Sequence, residues 1–239
     1  MKNFIFTGVL INAGLVIAGS AIGLLFKGEK LKRIGERIFQ IFAIFVMVMG
    51  VSGAMDMSRP VLELGCIIVG VAIGELLDVD KQFNRLGNWI QKKLGGAKSG
   101  LLSRGNFSEG FVNASLLFCI GSMTFLGAME SGIEHQHTIY ITKGILDGIS
   151  AITLAMGSGI GVAFSSLAVF VYQGLLTVLA NLIAPVLTPE TVAMCVSIGS
   201  LSLVAIGFNI LEIKKIKVAN FLPAMFMPMV WQAIMLLFK

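Results

Sequence analysis

Charged side chains are scarce in this chain, and their scarcity excludes a soluble domain. Asp, Glu, Lys and Arg together make up 13% of the 239 residues, against about 25% in an average soluble protein. Hydrophobic residues make up 56%, and the mean hydropathy is +0.90. A composition of this kind is typical of a protein that lies in a lipid bilayer.

The residues on which most enzymes and metal sites depend are also scarce. The sequence has two histidines, both in the stretch EHQH, and three cysteines without CxxC spacing, so neither a zinc site nor a disulfide framework is predicted. It contains no HExxH or Walker A motif. Gly50–Gly53 resembles the surroundings of the serine in rhomboid-type intramembrane proteases, but neither histidine lies in an apolar stretch where it could act as the base. We therefore expect no enzyme activity, no cofactor and no bound metal ion.

Long apolar runs account for most of the chain. A transmembrane helix needs about 20 mostly apolar residues, and eight stretches fit this requirement to within a few residues. They are residues 4–26, 38–55, 60–78, 109–129, 138–157, 160–185, 190–211 and 217–238. The predicted fold class is therefore all-α, a polytopic bundle of about eight transmembrane helices that forms a single membrane domain over residues 1–239.

The positions of the positive charges predict the direction of each crossing. Fourteen of the 18 Lys and Arg residues lie in three windows, Lys27–Arg37, Lys81–Arg104 and Lys214–Lys217. Cytoplasmic loops carry the excess of positive charge, so an even number of crossings must separate the second window from the third. Four crossings satisfy this condition and place both termini outside. Two re-entrant segments would also satisfy it, and the stretch 138–157 is doubtful as a span because it contains charged residues.

The same charge pattern predicts location and partners. We expect the bacterial cytoplasmic (inner) membrane, with the basic loops in contact with anionic lipids of the inner leaflet. Nucleic acid is not expected, because the basic residues flank apolar spans and do not line a polar groove. Three GxxxG motifs, Gly19–Gly23, Gly70–Gly74 and Gly144–Gly148, are typical of closely packed membrane helices, and with the small size of the chain they favour a homo-oligomer.

The one long polar connection begins with an amphipathic pattern. Over residues 79–95, apolar side chains recur at helical spacing and basic side chains occupy the rest of the wheel. The apolar positions are Val79, Phe83, Leu86 and Ile90. We expect a helix that lies on the cytoplasmic face of the membrane, followed by a flexible joint at GGAKSG.

A weak internal repeat is visible. The stretch from Gln40 to Gly50, followed by Glu63, has the same spacings as Ser197 to Gly207, followed by Asn220. An odd number of helices separates the copies, so they would have opposite orientations, as in the inverted repeats of secondary transporters. A second echo has a different offset, so at least one of the two is a chance match.

Two charged residues lie four positions apart inside a predicted span. Lys143 and Asp147 meet on one helix face at that spacing and can neutralise each other. An ionisable residue in a span costs at least about 2.5–3.5 kcal/mol on insertion scales, so such residues usually face a polar interior and often lie on a solute or proton path. The structural alternative is a pair near the outer interface, with Lys143 reaching water. Glu63, one turn into the third span, is a further candidate for cation or proton binding.

Amide side chains at membrane depth form a second group of candidates. A single amide usually hydrogen-bonds a neighbouring helix, but together they supply more polar surface than a passive bundle needs. They are Asn12, Asn113, Gln173, Asn181, Asn209 and Asn220. We expect Asn113, Asn209 and Asn220 to provide polar contacts near the charged pair.

Several stretches resemble a known family. They are GELLDVD at residues 74–80, EGFVNASLLFCIGSM at 109–123, TKGILDGISAITLA at 142–155, YQGLLT at 172–177 and IGFNILEIKKIKVANFLPA at 206–224. On these stretches the chain resembles, over nearly its full length, the YdfK/YqgA family of bacterial inner-membrane proteins of unknown function. The resemblance implies a membrane location and supplies no substrate and no catalytic residue.

Two functions fit these observations. The leading hypothesis is a transporter or channel for an ion or small solute, with Lys143 and Asp147 in its pathway. The alternative is a non-transporting membrane scaffold or sensory partner that acts through the amphipathic helix at residues 79–95.

Overall fold

The chain folds into helices, and the all-α prediction is confirmed. The computed structural model describes residues 4–25, 29–93 and 107–238, without the side chains of residues 29–32. Within these ranges the helices are α1 (Thr7–Leu24), α2 (Glu29–Met55), α3 (Pro60–Leu77), α4 (Val79–Lys93), α5 (Phe107–Cys119), α6 (Ser122–Ile133), α7 (Thr138–Ser158), α8 (Gly161–Val178), α9 (Ala180–Ile183), α10 (Pro189–Ile210) and α11 (Leu222–Leu237). A 3₁₀ turn, Val218–Phe221, precedes α11.

Seven of the described helical segments are long and apolar enough to cross a membrane, and an eighth is a broken pair. The seven are α1, residues 33–55 of α2, α3, α7, α8, α10 and Val218–Leu237. The pair α5 and α6 passes the same test only when the two helices are counted together. The predicted count of about eight therefore agrees with seven continuous segments and one interrupted segment.

The interruption falls on the fourth predicted span and corrects that prediction. Residues 109–129 were expected to form one helix, but the chain bends by 65° between Cys119 and Ser122. Gly121 has φ 132° and ψ 153°, a backbone conformation that is essentially restricted to glycine. The doubtful stretch 138–157, by contrast, is one continuous helix of 21 residues, α7.

Two further predicted spans have different limits from those expected. The stretch 160–185 is divided, because Leu179 has φ −84° and ψ 3°, values that end the regular helix α8 before the single turn of α9. The stretch 217–238 begins with the 3₁₀ turn, and Pro223 lies in the first turn of α11, where its missing N–H costs nothing.

The GxxxG glycines pack within the chain. A Cβ on Gly19 would overlap the carbonyl oxygen of Gly148, so α1 and α7 lie in backbone contact. A Cβ on Gly74 would likewise overlap the carbonyl oxygen of Asn220, which joins α3 to the turn before α11. Both ends of each contact are in one chain, so these motifs do not supply the surface for the predicted homo-oligomer.

The packing of α2 against α10 is reciprocal. A Cβ on Gly50 would meet the carbonyl oxygen of Ser200, and a Cβ on Gly207 would meet the carbonyl oxygen of Ala43. Gly50 and Gly207 are 157 positions apart, and so are Ala43 and Ser200. Ala43, the earlier residue of α2, meets Gly207, the later residue of α10, and Gly50, the later residue of α2, meets Ser200, the earlier residue of α10. The two helices are therefore antiparallel. These contacts support the first of the two internal echoes, whose offset is the same.

The amphipathic segment forms α4, which is docked on the bundle. Its residues Gly87 and Ile90 are buried. The hydroxyl of Ser108 in α5 donates to Asn84 Oδ1 at 2.6 Å, and the N–H of Asp80 donates to Asn220 Oδ1 at 2.7 Å. We call this end of the bundle, where α3 ends and α4 lies, the basic end. Residues 94–95 of the predicted helix and the joint GGAKSG lie outside the described residues.

Candidate functional site

Lys143 and Asp147 form a buried ion pair in the middle of α7. Their Nζ and Oδ2 atoms are hydrogen-bonded, and the residues are 5% and 8% exposed. Asp147 lies nine residues after Thr138 and eleven before Ser158, which is about half-way along the helix. The pair therefore lies near the middle of α7, and Lys143 does not reach the protein surface.

An amide pair from two other helices lies beside the ion pair. Asn12 of α1 donates through Nδ2 to Gln173 Oε1 of α8 at 3.1 Å, and both side chains are fully buried. Asn12 is also in hydrogen-bonding reach of the Asp147 carboxylate. Asn12 Oδ1 and Gln173 Nε2 have no partner among the described residues. The amide pair thus leaves one acceptor and one donor free in the interior.

The break between α5 and α6 lies next to the same residues. Cys119, the last residue of α5, is close enough to Lys143 and Asp147 to interact electrostatically with both. The hydroxyl of Tyr140 donates to the carbonyl of Thr124 at 3.0 Å, which joins α7 to the first turn of α6. Thr124 Oγ1 is buried without a partner in the described part of the chain. We refer to Asn12, Thr124, Lys143, Asp147 and Gln173 as the central cluster.

The break exposes backbone groups at membrane depth. The 13 residues of α5 rise about 20 Å at 1.5 Å per residue, so a span that begins at Phe107 is interrupted before it could cross a hydrocarbon core of about 30 Å. Helix ends leave unpaired N–H and C=O groups, and lipid offers them no partner, so irregular backbone at this depth must be buried in protein or line a wet cavity. A Cβ placed on Gly121 would meet no atom within 4 Å, so there is open space at the break.

A polar crevice opens at the basic end. Its volume is about 300 Å³, and it is lined by Asp80, Asn84, Glu109, Val112, Asn113, Asn209, Lys215, Ile216 and Lys217. We call it the basic-end crevice. It contains two of the predicted site residues, Asn113 and Asn209, and joins groups from α4, α5, α10 and the connection that follows α10.

Asn209 and Asn220 have structural partners, which corrects their predicted position beside Lys143. Asn209 donates to the carbonyl of Ile216 at 2.9 Å and accepts from the N–H of Ile216 at 2.8 Å. Asn220 donates to Glu75 Oε2 at 2.5 Å and accepts from the N–H of Asp80. The two amides hold the connection before α11 at the basic end. They supply hydrogen-bond partners to the backbone groups of Ile216 and Asp80, and buried backbone groups need such partners.

Two ionisable groups of this end have shifted pKa values. Burial raises the pKa of the Asp80 carboxyl above its ordinary value of 3.8, although a backbone hydrogen bond and Lys217 oppose the shift. The pKa of Lys217 is raised because its ammonium is hydrogen-bonded to Glu75 and lies close to Asp78. Lys217 thus remains charged at physiological pH, and Asp80 binds a proton more readily than a free aspartate does.

Glu63 lies at the opposite end, apart from both groups. It is fully buried in the first turn of α3 and accepts hydrogen bonds from the N–H of Arg59, at 3.0 Å, and from the hydroxyl of Ser197. The Arg59 guanidinium is paired with Glu190 at 2.6 Å, not with Glu63. The predicted residues are therefore divided among three places: the central cluster, the basic end and the buried carboxylate of α3.

Comparison with known proteins identifies relatives but no activity. A family model described as "Protein of unknown function (DUF554)" matches residues 7–233. The chain is 30% identical over 225 residues to the "Uncharacterized membrane protein YdfK" of Bacillus subtilis strain 168, which spans 92% of this chain and 93% of the relative. It is 28% identical over 222 residues, or 93% of this chain and 94% of the relative, to the "Uncharacterized protein YqgA" of Escherichia coli strain K12. No solved structure matches the chain. The resemblance indicated by the sequence is confirmed.

Proposed function

We propose a function for this chain, which belongs to the DUF554 family of proteins of unknown function: it is a membrane transporter or channel for an ion or small solute. The observation that carries the proposal is the position of a broken helix beside a buried ion pair. Transporters place discontinuous helices near the bilayer midplane, where free backbone groups bind the solute. Cys119, at the break, lies close to Lys143 and Asp147, and we assign the break and the pair to that depth.

The unpaired polar atoms of the central cluster support this proposal. A bundle that only anchors a protein gains nothing from a buried donor or acceptor without a partner, because each costs about 1–3 kcal/mol. The cluster holds three such atoms, on Asn12, Thr124 and Gln173. A bound solute or water molecule would supply the missing hydrogen bonds.

A path from the basic end to the cluster follows α5. Glu109 and Asn113 line the basic-end crevice and are four residues apart, so they share one helix face. Leu117, the next residue on this face, packs against the hydrophobic core, and α5 ends two residues later at Cys119. The proposed pathway therefore enters at the basic-end crevice, and movement of Leu117 would connect it to the break.

Flux through purified protein in liposomes tests the proposal. A panel of ions and small metabolites is screened, and Asp147→Asn is then compared with wild type for any solute that moves. We expect a fall of about 100-fold, which corresponds to roughly 3 kcal/mol, the lower estimate for leaving one partner of a buried pair uncompensated. Asp56→Asn is the matched control, since Asp56 is exposed between α2 and α3 and its loss should leave flux unchanged. Equal flux in Asp147→Asn and wild type would remove the central cluster from the pathway.

We place the chain in the bacterial cytoplasmic membrane with its basic end in the cytoplasm and both termini outside. The concentration of basic residues in the connections at that end supports this orientation, as does the affinity of such segments for anionic lipid. A reporter enzyme fused after Lys239 should be active only on the outer side of the membrane. Cytoplasmic activity would mean either an odd number of crossings or the inverted orientation, and each would contradict this topology.

The outer face of α4 favours a second candidate, a scaffold or sensory role. Trp89 is 56% exposed, and the ammonium of Lys93 lies 4.9 Å from the centre of its ring. Exposed Trp and Lys side chains are typical of segments at the lipid interface. If this role is the main one, replacing Lys81, Arg85, Lys92 and Lys93 by Gln should abolish the cellular phenotype, while Asp147→Asn should preserve it. The opposite result favours transport.

A further inference from the structure

The charges of the central cluster are balanced. Helices α1 and α8 contain no Asp, Glu, Lys or Arg, and Lys143 and Asp147 are the two such residues of α7. An ion entering this environment would add an uncompensated charge at membrane depth, which is costly. A solute with one ammonium and one carboxylate adds no net charge. It can exchange partners with the pair, so that Asp147 contacts the ammonium and Lys143 contacts the carboxylate.

The free amide atoms have the same complementarity. Asn12 Oδ1 is an acceptor suited to an ammonium, and Gln173 Nε2 is a donor suited to a carboxylate. The Asp147 carboxylate fixes the assignment of the amide oxygens and nitrogens. A carboxylate only accepts hydrogen bonds, so Asn12 Nδ2 faces Asp147 and Gln173 Oε1, which leaves Asn12 Oδ1 and Gln173 Nε2 free.

The basic-end crevice repeats this mixture of charges. Its lining includes the carboxylates of Asp80 and Glu109 and the ammonium groups of Lys215 and Lys217. Pathways for cations are commonly lined by carboxylates and those for anions by basic side chains. A volume of about 300 Å³ is at the lower limit of pockets for small molecules.

We propose that the solute is a small zwitterion, with one ammonium and one carboxylate group, of the size of the smaller amino acids. This inference rests on the proposed transport function and names the substrate class for the same site. The two charged ends are recognised by the separated partners of one ion pair, and the two amides complete their hydrogen bonding.

Uptake of four matched sets of labelled probes by proteoliposomes tests the inference. The zwitterionic set is glycine, alanine and serine; the cationic set is the corresponding amino amides; the anionic set is the corresponding hydroxy acids; and the neutral set is the corresponding hydroxy amides. Potassium and chloride are tested in parallel. We expect the zwitterions to move at least about tenfold faster than the other sets, a preference equivalent to roughly 1.4 kcal/mol.

The outcomes separate the two proposals. If an ion or a singly charged or neutral set moves as fast as the zwitterions, or faster, the substrate class is wrong and transport stands. If none of these probes moves but a solute of the broader panel does, the substrate class is wrong and transport stands; if nothing moves in either screen, both proposals fail.

Amide variants test recognition while leaving the ion pair in place. Asn12→Leu and Gln173→Met each remove one hydrogen-bonding group and should lower zwitterion flux about five-fold, the loss expected from one hydrogen bond. Ser165→Ala is the control, since this buried hydroxyl of α8 donates to the carbonyl of Val162 and lies outside the central cluster. Thermal unfolding in detergent verifies that the variants are folded. Wild-type flux in both folded amide variants would overturn the recognition scheme.

Discussion

Deleting one partner of the α7 ion pair should lower the free energy of unfolding strongly, whereas replacing both partners should change it little. Lys143 and Asp147 are 5% and 8% exposed, so deleting one partner leaves the other charge in an environment that cannot solvate it. For buried pairs this loss is about 3–5 kcal/mol. We therefore expect Lys143→Met and Asp147→Leu each to lower the free energy of unfolding by about this amount.

The double variant provides the decisive comparison. With both charges replaced by apolar side chains of similar size, stability should return to within about 1 kcal/mol of wild type or exceed it. The coupling energy of the double-mutant cycle should then be at least about 5 kcal/mol. Unfolding by sodium dodecyl sulfate in mixed micelles, followed by circular dichroism, measures all four proteins under one condition.

An exposed ion pair in the same molecule is the control. Arg59 and Glu190 are joined at 2.6 Å, but their side chains are 54% and 48% exposed. The same cycle on this pair should give a coupling of about 0.2–1 kcal/mol. The reasoning fails if the losses at Lys143 and Asp147 are simply additive, or if their coupling energy is no larger than that of Arg59 and Glu190. Either result would mean that the two residues are not paired in a buried site.

Three further predictions concern the break, the helix contacts and the docked helix. Gly121→Ala should cost about 1–3 kcal/mol because of the strained backbone, whereas Gly14→Ala, at a helical position with nothing within 4 Å, should cost nothing; equal effects in the same unfolding assay would contradict this. Gly74→Ala should lower stability by about 1–3 kcal/mol through overpacking, while Gly65→Ala, whose Cβ would meet open space, should leave it unchanged. Because the raised pKa of Asp80 means that the folded protein binds its proton more tightly, the protection of α4 from hydrogen exchange should be highest at low pH and fall as pH rises from 3.8 to that raised value. Protection in Asp80→Asn should not change over this range, and an unchanged pH dependence would refute the assignment.

Features that depend on one segment could be predicted from the sequence. The spans follow from runs of apolar residues, and the pairing of Lys143 with Asp147 follows from their spacing on one helix. The break at Gly121 could not be predicted, since the stretch 109–129 is mostly apolar and contains no proline. A glycine reveals its backbone conformation only when neighbouring helices fix the direction of the chain on either side.

Contacts between distant segments were beyond the sequence patterns. Asn12 and Gln173 are 161 positions apart, and each amide taken alone is equally suited to any neighbouring helix. Asn209 and Asn220 were expected near the charged pair because they are amides at predicted membrane depth and lie in the stretches that resemble the family. The structure shows them holding the connection between α10 and α11, a role that depends on how this connection folds back on α3 and α4.

The reciprocal contact of α2 with α10 has a consequence for how such a molecule can arise. Two copies of one polypeptide, encoded by a single gene, can form such a contact if the polypeptide inserts into the membrane in both directions. Duplication and fusion then require an added element that reverses the second copy. Here the residues between α3 and α10 fill that position, and they include the broken helix and the charged pair. The central cluster thus lies in parts of the chain without a counterpart in the repeat, since α1, which carries Asn12, also precedes the first copy.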